Sequence, residues 1–217
     1  MEMSLYRALA LRKSTKQRIE KEIGSVKFVE TTVGTSGTVS GISVASVEKT
    51  IQGNYDRIQA LFENFNKLNK AITAANAGVT KDSTSIKTTV VNGEKMTLAD
   101  IIQAKTYLHY MNMLLKAMSN QLTNAKMKIE MNAQIVSDRC DAFLANMGGG
   151  DKATLSKDDV AAYSKQFHDN NDLRLVDPIG LENVVNDLCA KLEDFAVEID
   201  ARNSELNAST IIDVDIK

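Results

Sequence analysis

The sequence has few of the residues that interrupt helices or dominate compact β folds. In 217 residues there is one proline, there is no tryptophan, and aromatic residues make up 5%. Because proline removes a backbone donor and breaks helices, its near absence permits long uninterrupted helices. A low aromatic content fits a helical protein better than a β-sandwich or a barrel. The composition therefore predicts a mainly α fold.

Three further shortages limit the functional classes. The formal net charge is -2, whereas a general nucleic-acid binder needs a basic surface. Cys140 and Cys189 are isolated and have no CxxC spacing. The sequence also lacks an N-terminal apolar segment and any run of about 18 apolar residues. We therefore expect a single domain over 1–217, in the cytoplasm of a bacterial host, with no nucleic-acid partner and no membrane span.

The sequence does contain a long heptad pattern. From Ile101 to Phe143 an apolar residue recurs at every seventh position, which is typical of a coiled coil. Thr97 and Asp100 form a capping box before this stripe, and a glycine triplet follows it. These signals predict one helix over Leu98–Met147, about 75 Å long.

Three shorter amphipathic helices are predicted to pack with the long one. The first covers about Ser4–Ile23 and the second about Asn54–Ala75. The third begins at Asp177-Pro178, where aspartate is an N-cap and proline takes the first helical position. Together the four helices predict an elongated antiparallel helical bundle or coiled coil with small β-hairpin arms.

Two hairpins and one flexible segment are predicted between the helices. Asn92-Gly93 favours a type I′ turn, so we expect a hairpin at about 86–96. Valine-rich and threonine-rich runs flank Gly34 to Gly37 and predict a second hairpin at about 25–52. These glycines do not suit a phosphate loop, because strand-like residues follow them and no Lys-Ser or Lys-Thr pair ends the motif. Residues at about 148–172 are predicted to form a flexible insertion.

No catalytic or metal-binding motif is present in the sequence. His109 and His168 are the only histidines, and neither has a second nitrogen or sulfur ligand at a suitable spacing. Cys140 has no adjacent histidine that could act as its base, and there is no GxSxG or SxxK frame. We therefore predict a protein that is not an enzyme and that uses no cofactor or metal.

Four cations interrupt the apolar stripes at positions predicted to face the core. Arg12 and Lys16 lie on the first helix, Arg139 on the long helix and Arg202 on the last. Burying several cations without a counter-charge is costly, so carboxylates or a ligand should neutralise them. Two interpretations stay open. The side chains reach water or pair with Asp and Glu across the bundle, or they form a basic pocket that grips an anion through arginine forks.

Three blocks of sequence carry a family resemblance: ALALRKSTKQRIEKEI, then NKLNKAITAAN with NGEKMTLADIIQAKTYL, and finally DLCAKLEDFAVEIDARNSELNAST. In that order they resemble the septicolysin-like helical proteins of bacteria and phages. The resemblance implies a helical fold, and its motifs are helix faces and turns rather than a reactive signature. The chain departs from that family's compact form in the arm around Gly34 and in the segment Gly148 to Asn171.

Three functions follow from these patterns. The heptad stripe is longer than the shorter helices can easily cover, so the leading prediction is a non-enzymatic homo-oligomeric interaction or assembly protein of phage or prophage origin. The first alternative is a protein that sequesters a small anionic ligand or nucleotide signal, as a host-defence antagonist would. The second alternative is a membrane-active protein, which the name of the family suggests.

Overall fold

The computed structural model describes residues 3–35, 37–78, 88–91, 94–150 and 154–209. In this part of the chain the helices are α1 (Leu5–Ser25), α2 (Val44–Gly78), α3 (Leu98–Met147), α4 (Lys157–Asn171) and α5 (Leu181–Ser209). The strands are β1 (Glu30–Val33), β2 (Thr38–Val39), β3 (Ile42–Ser43), β4 (Thr88–Val91), β5 (Glu94–Thr97) and β6 (Leu173–Val176). The prediction of a mainly α fold with small hairpins is confirmed.

Helix α3 has the bounds predicted from its capping signals. The Thr97 backbone N–H donates to Asp100 Oδ2 at 2.9 Å, and the Asp100 N–H donates to Thr97 Oγ1 at 3.2 Å. This reciprocal pair satisfies two donors that a helix N-terminus leaves without partners. At the other end Gly149 and Gly150 have φ angles of 70° and 109°, which glycine adopts easily and which end the helix.

Helix α2 begins at Val44, well before the predicted start at Asn54. The hairpin predicted at about 25–52 therefore overlaps the first turns of this helix, and that part of the prediction is wrong. Ser43 supplies the cap, because its Oγ accepts a hydrogen bond from the Ser46 N–H at 3.3 Å. Ile51 is 1% exposed, so the early turns already bury an apolar face.

The strands around the glycine-rich stretch do not pair across Gly34 to Gly37. Instead β1 pairs antiparallel with the distant β6, in a register that joins Glu30 to Val176. The local hairpin is β2 with β3, and Ser40 and Gly41 form its turn with φ angles of 49° and 82°. Two positive φ angles are what a type I′ turn requires. The predicted hairpin thus exists only as this shorter one.

Gly34 allows a close approach between two backbones. Its φ is 54°, and its N–H donates to the Asp172 carbonyl at 2.7 Å. A Cβ at this position would lie 2.3 Å from the carbonyl oxygen of Asn170, at the end of α4. No side chain fits at that distance, so glycine is required where β1 meets the end of α4.

The segment predicted as a flexible insertion at about 148–172 contains α4. Ser156 caps this helix, because its Oγ accepts a hydrogen bond from the Asp159 N–H at 3.1 Å. Phe167 packs beside Phe143 with the ring centroids 5.2 Å apart. The Cys140 thiol lies 3.6 Å from the Ser164 hydroxyl. The helix is therefore packed against α3.

The hairpin predicted at about 86–96 is present as β4 and β5. Its register pairs Val91 with Glu94, which leaves a two-residue connection. That connection is Asn92-Gly93, the predicted turn, and it lies outside the described residues.

The chain, predicted as a single domain, groups into two compact units that are each discontinuous in sequence. Unit 1 contains Met1–Ser25, Asp56–Ala117 and Asn183–Lys217, and unit 2 contains Val26–Tyr55 and Met118–Glu182. Fully buried side chains of unit 1 include Phe62, Phe65, Tyr110 and Leu114. Those of unit 2 include Phe28, Ile51, Met118 and Leu144. Each unit therefore buries apolar side chains of its own.

Candidate ligand-binding pocket

Unit 1 contains a cavity with a volume of about 710 Å³. Its walls are one face of α2, the β4–β5 hairpin, the first turns of α3 and one side chain of α5. The small Ala104 of α3 is buried in the wall and leaves space that a larger side chain would fill. Small-molecule sites in proteins usually enclose about 300–1,000 Å³, so the cavity has the size of such a site.

Polar side chains supply much of the cavity lining. Three of them are amides, Asn66, Asn69 and Gln103, and two are lysines, Lys70 and Lys95. Side chains three and four positions apart on a helix share one face, so Asn66, Asn69 and Lys70 line the same wall from α2. The lining therefore offers hydrogen-bond donors and acceptors together with positive charge.

Asn69 is the unusual residue of the lining. The residue is 5% exposed. Among the buried side-chain oxygen and nitrogen atoms of the described residues, the Oδ1 of Asn69 is the one that has no hydrogen-bond partner. An unsatisfied buried acceptor costs about 1–3 kcal/mol. Asn69 lies in the buried stripe of α2, between Phe65 and Ile72. An apolar residue at this position would have no polar group to leave unsatisfied. Such an exception in the wall of a cavity calls for a functional reason.

The carboxylate in the lining is engaged by the chain itself. Asp100 Oδ2 accepts hydrogen bonds from the N–H of Thr97 at 2.9 Å and from its Oγ1 at 2.8 Å. This carboxylate therefore serves the capping box of α3. The lining also contains the ammonium groups of Lys70 and Lys95, so the formal charge of its side chains is +1.

Two aromatic rings, Tyr107 and Phe195, also line the cavity. Phe62 holds the tyrosine ring in an edge-to-face contact, with centroids 5.7 Å apart and planes at 89°. Burial raises the pKa of the Tyr107 hydroxyl above its ordinary value, and the nearby Glu63 carboxylate raises it further. The hydroxyl therefore stays protonated at neutral pH and remains able to donate.

Arg12, one of the predicted site residues, is next to the cavity but not in its lining. The side chain is half-buried, and Nη1 donates to Gln103 Oε1 at 3.5 Å, a long hydrogen bond. Gln103 is itself part of the lining. Arg12 is therefore placed to orient a cavity residue.

Lys16 and Arg202, which also belong to unit 1, have separate neighbours. The Lys16 ammonium lies 5.5 Å from the centroid of the Tyr110 ring, within cation–π distance. Arg202 Nη1 donates to Glu205 Oε2 at 2.8 Å, and this bond raises the pKa of the guanidinium above its ordinary value. Neither cation lines the cavity. In unit 1 the predicted cations thus have three different partners.

Arg139 belongs to unit 2, where its side chain is exposed. The buried residue at this turn of α3 is the next one, Cys140, which is 3% exposed. The prediction that Arg139 faces the core assumed a strict seven-residue repeat. A straight helix has 3.6 residues per turn and drifts from that repeat by about 20° per heptad. After several heptads the buried face has moved to Val136, Cys140 and Leu144.

Sequence reasoning missed Asn69 and both cavity lysines. One signal was available, since Asn69 is a polar residue at the position of the α2 stripe between Phe65 and Ile72. Lys70 and Lys95 gave no signal, because isolated lysines on a helix and a hairpin are ordinary surface residues.

The histidines and thiols do not form a reactive group in the described part of the chain. His109 is exposed, and His168 Nδ1 lies 3.1 Å from Asp172 Oδ1. Cys140 is buried, and Cys189 Sγ contacts Glu193 Oε1 at 3.4 Å. Across the described ranges, no three His, Cys, Asp or Glu side chains are grouped so that they could hold a metal ion.

Comparisons with protein-family models, with curated proteins and with solved structures find no match to this chain. The resemblance to septicolysin-like proteins therefore stays a prediction. None of the described helices combines the length and the apolar character needed to cross a bilayer.

Proposed function

We propose that this protein binds a small, negatively charged molecule in the cavity of unit 1. The observation that carries this proposal is the unpartnered Oδ1 of buried Asn69 in the wall of a cavity of ligand size. The free protein bears the cost of that unsatisfied acceptor. A ligand that donates a hydrogen bond to Asn69 removes the cost when it binds.

The preference for an anion follows from the charges of the lining. Lys70 and Lys95 are exposed residues of the cavity, and the carboxylate of Asp100 is engaged by Thr97. Ammonium groups form short, charge-assisted hydrogen bonds with phosphate or carboxylate oxygens. A negatively charged group of the ligand is therefore favoured near the two lysines.

We propose retention of the ligand rather than its conversion. The described lining has no histidine or cysteine, its carboxylate is held in the capping box, and the raised pKa of Tyr107 keeps that hydroxyl protonated. A catalytic site needs a base or nucleophile within hydrogen-bond reach of the reacting group. The proposal therefore corresponds to sequestration of an anionic ligand or nucleotide signal.

A thermal-shift screen tests the proposal. Inorganic phosphate, sugar phosphates, nucleotides and dicarboxylates are added to the full-length protein, and at least one class is expected to raise its Tm. The double variant Lys70→Ala, Lys95→Ala should lose this rise. Lys116→Ala is the matched control, since Lys116 is an exposed lysine of the same unit outside the cavity lining.

Two outcomes would contradict the proposal. No compound of the panel raises the Tm of the unaltered protein, or the rise persists in the double lysine variant. In the second case the anion binds elsewhere on the chain.

Self-association is a second candidate function, favoured by an exposed stripe on α3. Met127, Met131 and Ile135 are 52%, 65% and 54% exposed, and their spacing of four places them on one face of the helix. Burying apolar surface against a second copy contributes roughly 25 cal/mol per Å². We propose that this Met127 stripe joins copies of the chain into an assembly.

Light scattering coupled to size-exclusion chromatography tests the assembly. The unaltered protein should have a mass above that of one chain, and Met131→Lys should shift it toward the monomer. Val197→Lys is the control, since Val197 is an isolated residue of α5 that is 72% exposed. A monomeric mass for the unaltered protein at micromolar concentration would sink this second function.

Membrane activity remains a prediction from the family resemblance alone. It does not follow from the cavity or from the Met127 stripe. Release of dye from liposomes by the purified protein would be its direct measurement.

A further inference from the structure

We infer that the ligand of the cavity is a nucleotide, with its base against Asn69 and the aromatic rings and its phosphate toward the lysines. The inference rests on the proposed function and adds the chemical class of the ligand. Its basis is that the buried and the exposed parts of the cavity lining favour opposite hydrogen-bonding groups.

The buried part of the lining requires a donor. Asn69 Oδ1 only accepts hydrogen bonds, so a phosphate or carboxylate oxygen at that position would be repelled. The partner must carry an N–H or an O–H group. The oxygen is covered by neighbouring atoms, but χ2 of asparagine is a broad torsion, so the amide can turn toward a ligand.

The exposed part of the lining favours an acceptor with negative charge. Lys70 and Lys95 are exposed, whereas Asn69 is almost fully buried and Tyr107 and Phe195 are half-buried. One ligand must therefore present a donor at its inner end and an anionic group at its outer end. A simple anion such as inorganic phosphate can contact Lys95 but leaves the amide oxygen of Asn69 unpartnered.

The two aromatic rings favour a planar inner group. Tyr107 is held at a fixed angle by Phe62, and Phe195 lines the same cavity. Nucleic-acid bases stack on such rings whatever their sequence, because each base has a π-face. The edge of a base also presents a donor beside an acceptor, which matches the two groups of an asparagine amide. A nucleotide combines this planar edge with a phosphate.

Isothermal titration of the full-length protein tests the inference. The probes are the four ribonucleoside 5′-monophosphates and 5′-diphosphates, the matching nucleosides and ribose 5-phosphate. At least one nucleotide is expected to bind ten times more tightly than either its nucleoside or ribose 5-phosphate. Ribose 5-phosphate keeps the phosphate and hydroxyl donors but lacks the base, so it isolates the contribution of the base.

Two variants divide the ligand into its parts. Asn69→Leu should weaken nucleotide and nucleoside binding at least tenfold while leaving ribose 5-phosphate unchanged. Lys95→Ala should weaken the nucleotide and ribose 5-phosphate but not the nucleoside. Asn76→Leu, an exposed asparagine of α2 outside the lining, should change neither. Melting curves of each variant show that it is folded.

The outcomes separate the inference from the proposed function. If ribose 5-phosphate or another anion of the thermal-shift panel binds as tightly as every nucleotide, the nucleotide inference is overturned and the anion-binding function stands. Equal binding of nucleotides to Asn69→Leu and to the unaltered protein also overturns the inference. If no anion of either set binds, the proposed function fails together with it.

Discussion

Side-chain amides have different surroundings in the two units. In unit 2, Gln121 Nε2 donates to the Val26 carbonyl at 2.9 Å, and its Oε1 accepts from the Phe28 N–H at 2.8 Å. Asn132 Oδ1 likewise accepts from the Leu173 N–H at 2.8 Å. In unit 1, by contrast, the Oδ1 of Asn69 has no partner in the described residues. A side-chain amide thus binds backbone groups in unit 2, whereas in unit 1 the amide oxygen of Asn69 is an unsatisfied acceptor.

This difference separates two reasons for a polar group in a helical core. Gln121 and Asn132 satisfy backbone groups of the chain beside β1 and at the start of β6. Removing them would leave those groups without partners. The Oδ1 of Asn69 accepts no hydrogen bond from the described residues, and the side chain lines a cavity that also contains two lysines. An unpaired amide is therefore a better guide to a binding site than a buried amide alone.

The largest expected effect tests how tightly unit 2 is packed. Gly34→Val places a branched side chain where a Cβ alone would lie 2.3 Å from the Asn170 carbonyl, at a positive φ. We expect a loss of about 4 kcal/mol in the free energy of unfolding, from overpacking and backbone strain. Urea unfolding followed by circular dichroism measures it.

Gly37→Ala is the control for backbone strain, because Gly37 has a φ of 64° but no atom near its Cβ position. Its expected cost is about 1 kcal/mol. Equal losses in the two variants would mean that β1 does not approach α4 closely.

The second effect tests the structural role of Gln121. Gln121→Leu leaves the carbonyl of Val26 and the N–H of Phe28 unpaired at residues that are 8% and 0% exposed. The expected loss is about 3 kcal/mol in the free energy of unfolding, because both buried groups lose their partner. A change of less than about 0.5 kcal/mol, which is typical of a neutral surface substitution, would refute the role of this amide.

The third expected effect is a gain in the free energy of unfolding, and it compares Asn69 of unit 1 directly with Gln121 of unit 2. Asn69→Leu removes an unsatisfied acceptor and places a better helix former in α2, so the free protein should gain about 1 kcal/mol. The same urea titration measures this gain. If Asn69→Leu instead destabilises the protein as Gln121→Leu does, the two amides are alike and Asn69 has a structural partner.

The smallest effect concerns the tyrosine of the cavity at alkaline pH. Burial and then Glu63 raise the pKa of Tyr107 in the folded state, so folded protein holds this proton more tightly than unfolded protein does. The stabilisation is complete below the unfolded pKa of about 10 and is lost as the pH rises through the folded value. Tyr107→Phe should therefore lose less stability than the unaltered protein between about pH 9 and about pH 11. Identical pH profiles would indicate that Tyr107 is not desolvated.

Local signals made several elements predictable. Both ends of α3 were predicted from nearby residues. The capping pair Thr97 and Asp100 marks its start, and the glycines after Met147 mark its end. The β4–β5 hairpin followed from an Asn-Gly dipeptide between strand-like residues. Helix α4 also had a readable signal, Ser156 with Asp159 three positions later, although its weak apolar pattern resembled a loop.

The candidate site was much less predictable. Arg12 was identified because it interrupts an apolar stripe, and it contacts Gln103 at the cavity. Asn69 interrupts a stripe in the same way, yet only the positions of its neighbours show that its oxygen lacks a partner. Arg139 was predicted to face the core because a seven-residue repeat was extended over a helix that drifts from it.

By itself, the sequence determined the helical class, the two ends of α3 and the β4–β5 hairpin. Those features depend mainly on caps, turns and helix faces, which residues close together in the sequence form. Only the tertiary structure decided that β1 pairs with β6, that Gly34 must be glycine and that Asn69 is left without a partner. Each of these depends on groups distant in sequence, and a local pattern does not specify which distant group will be placed beside it.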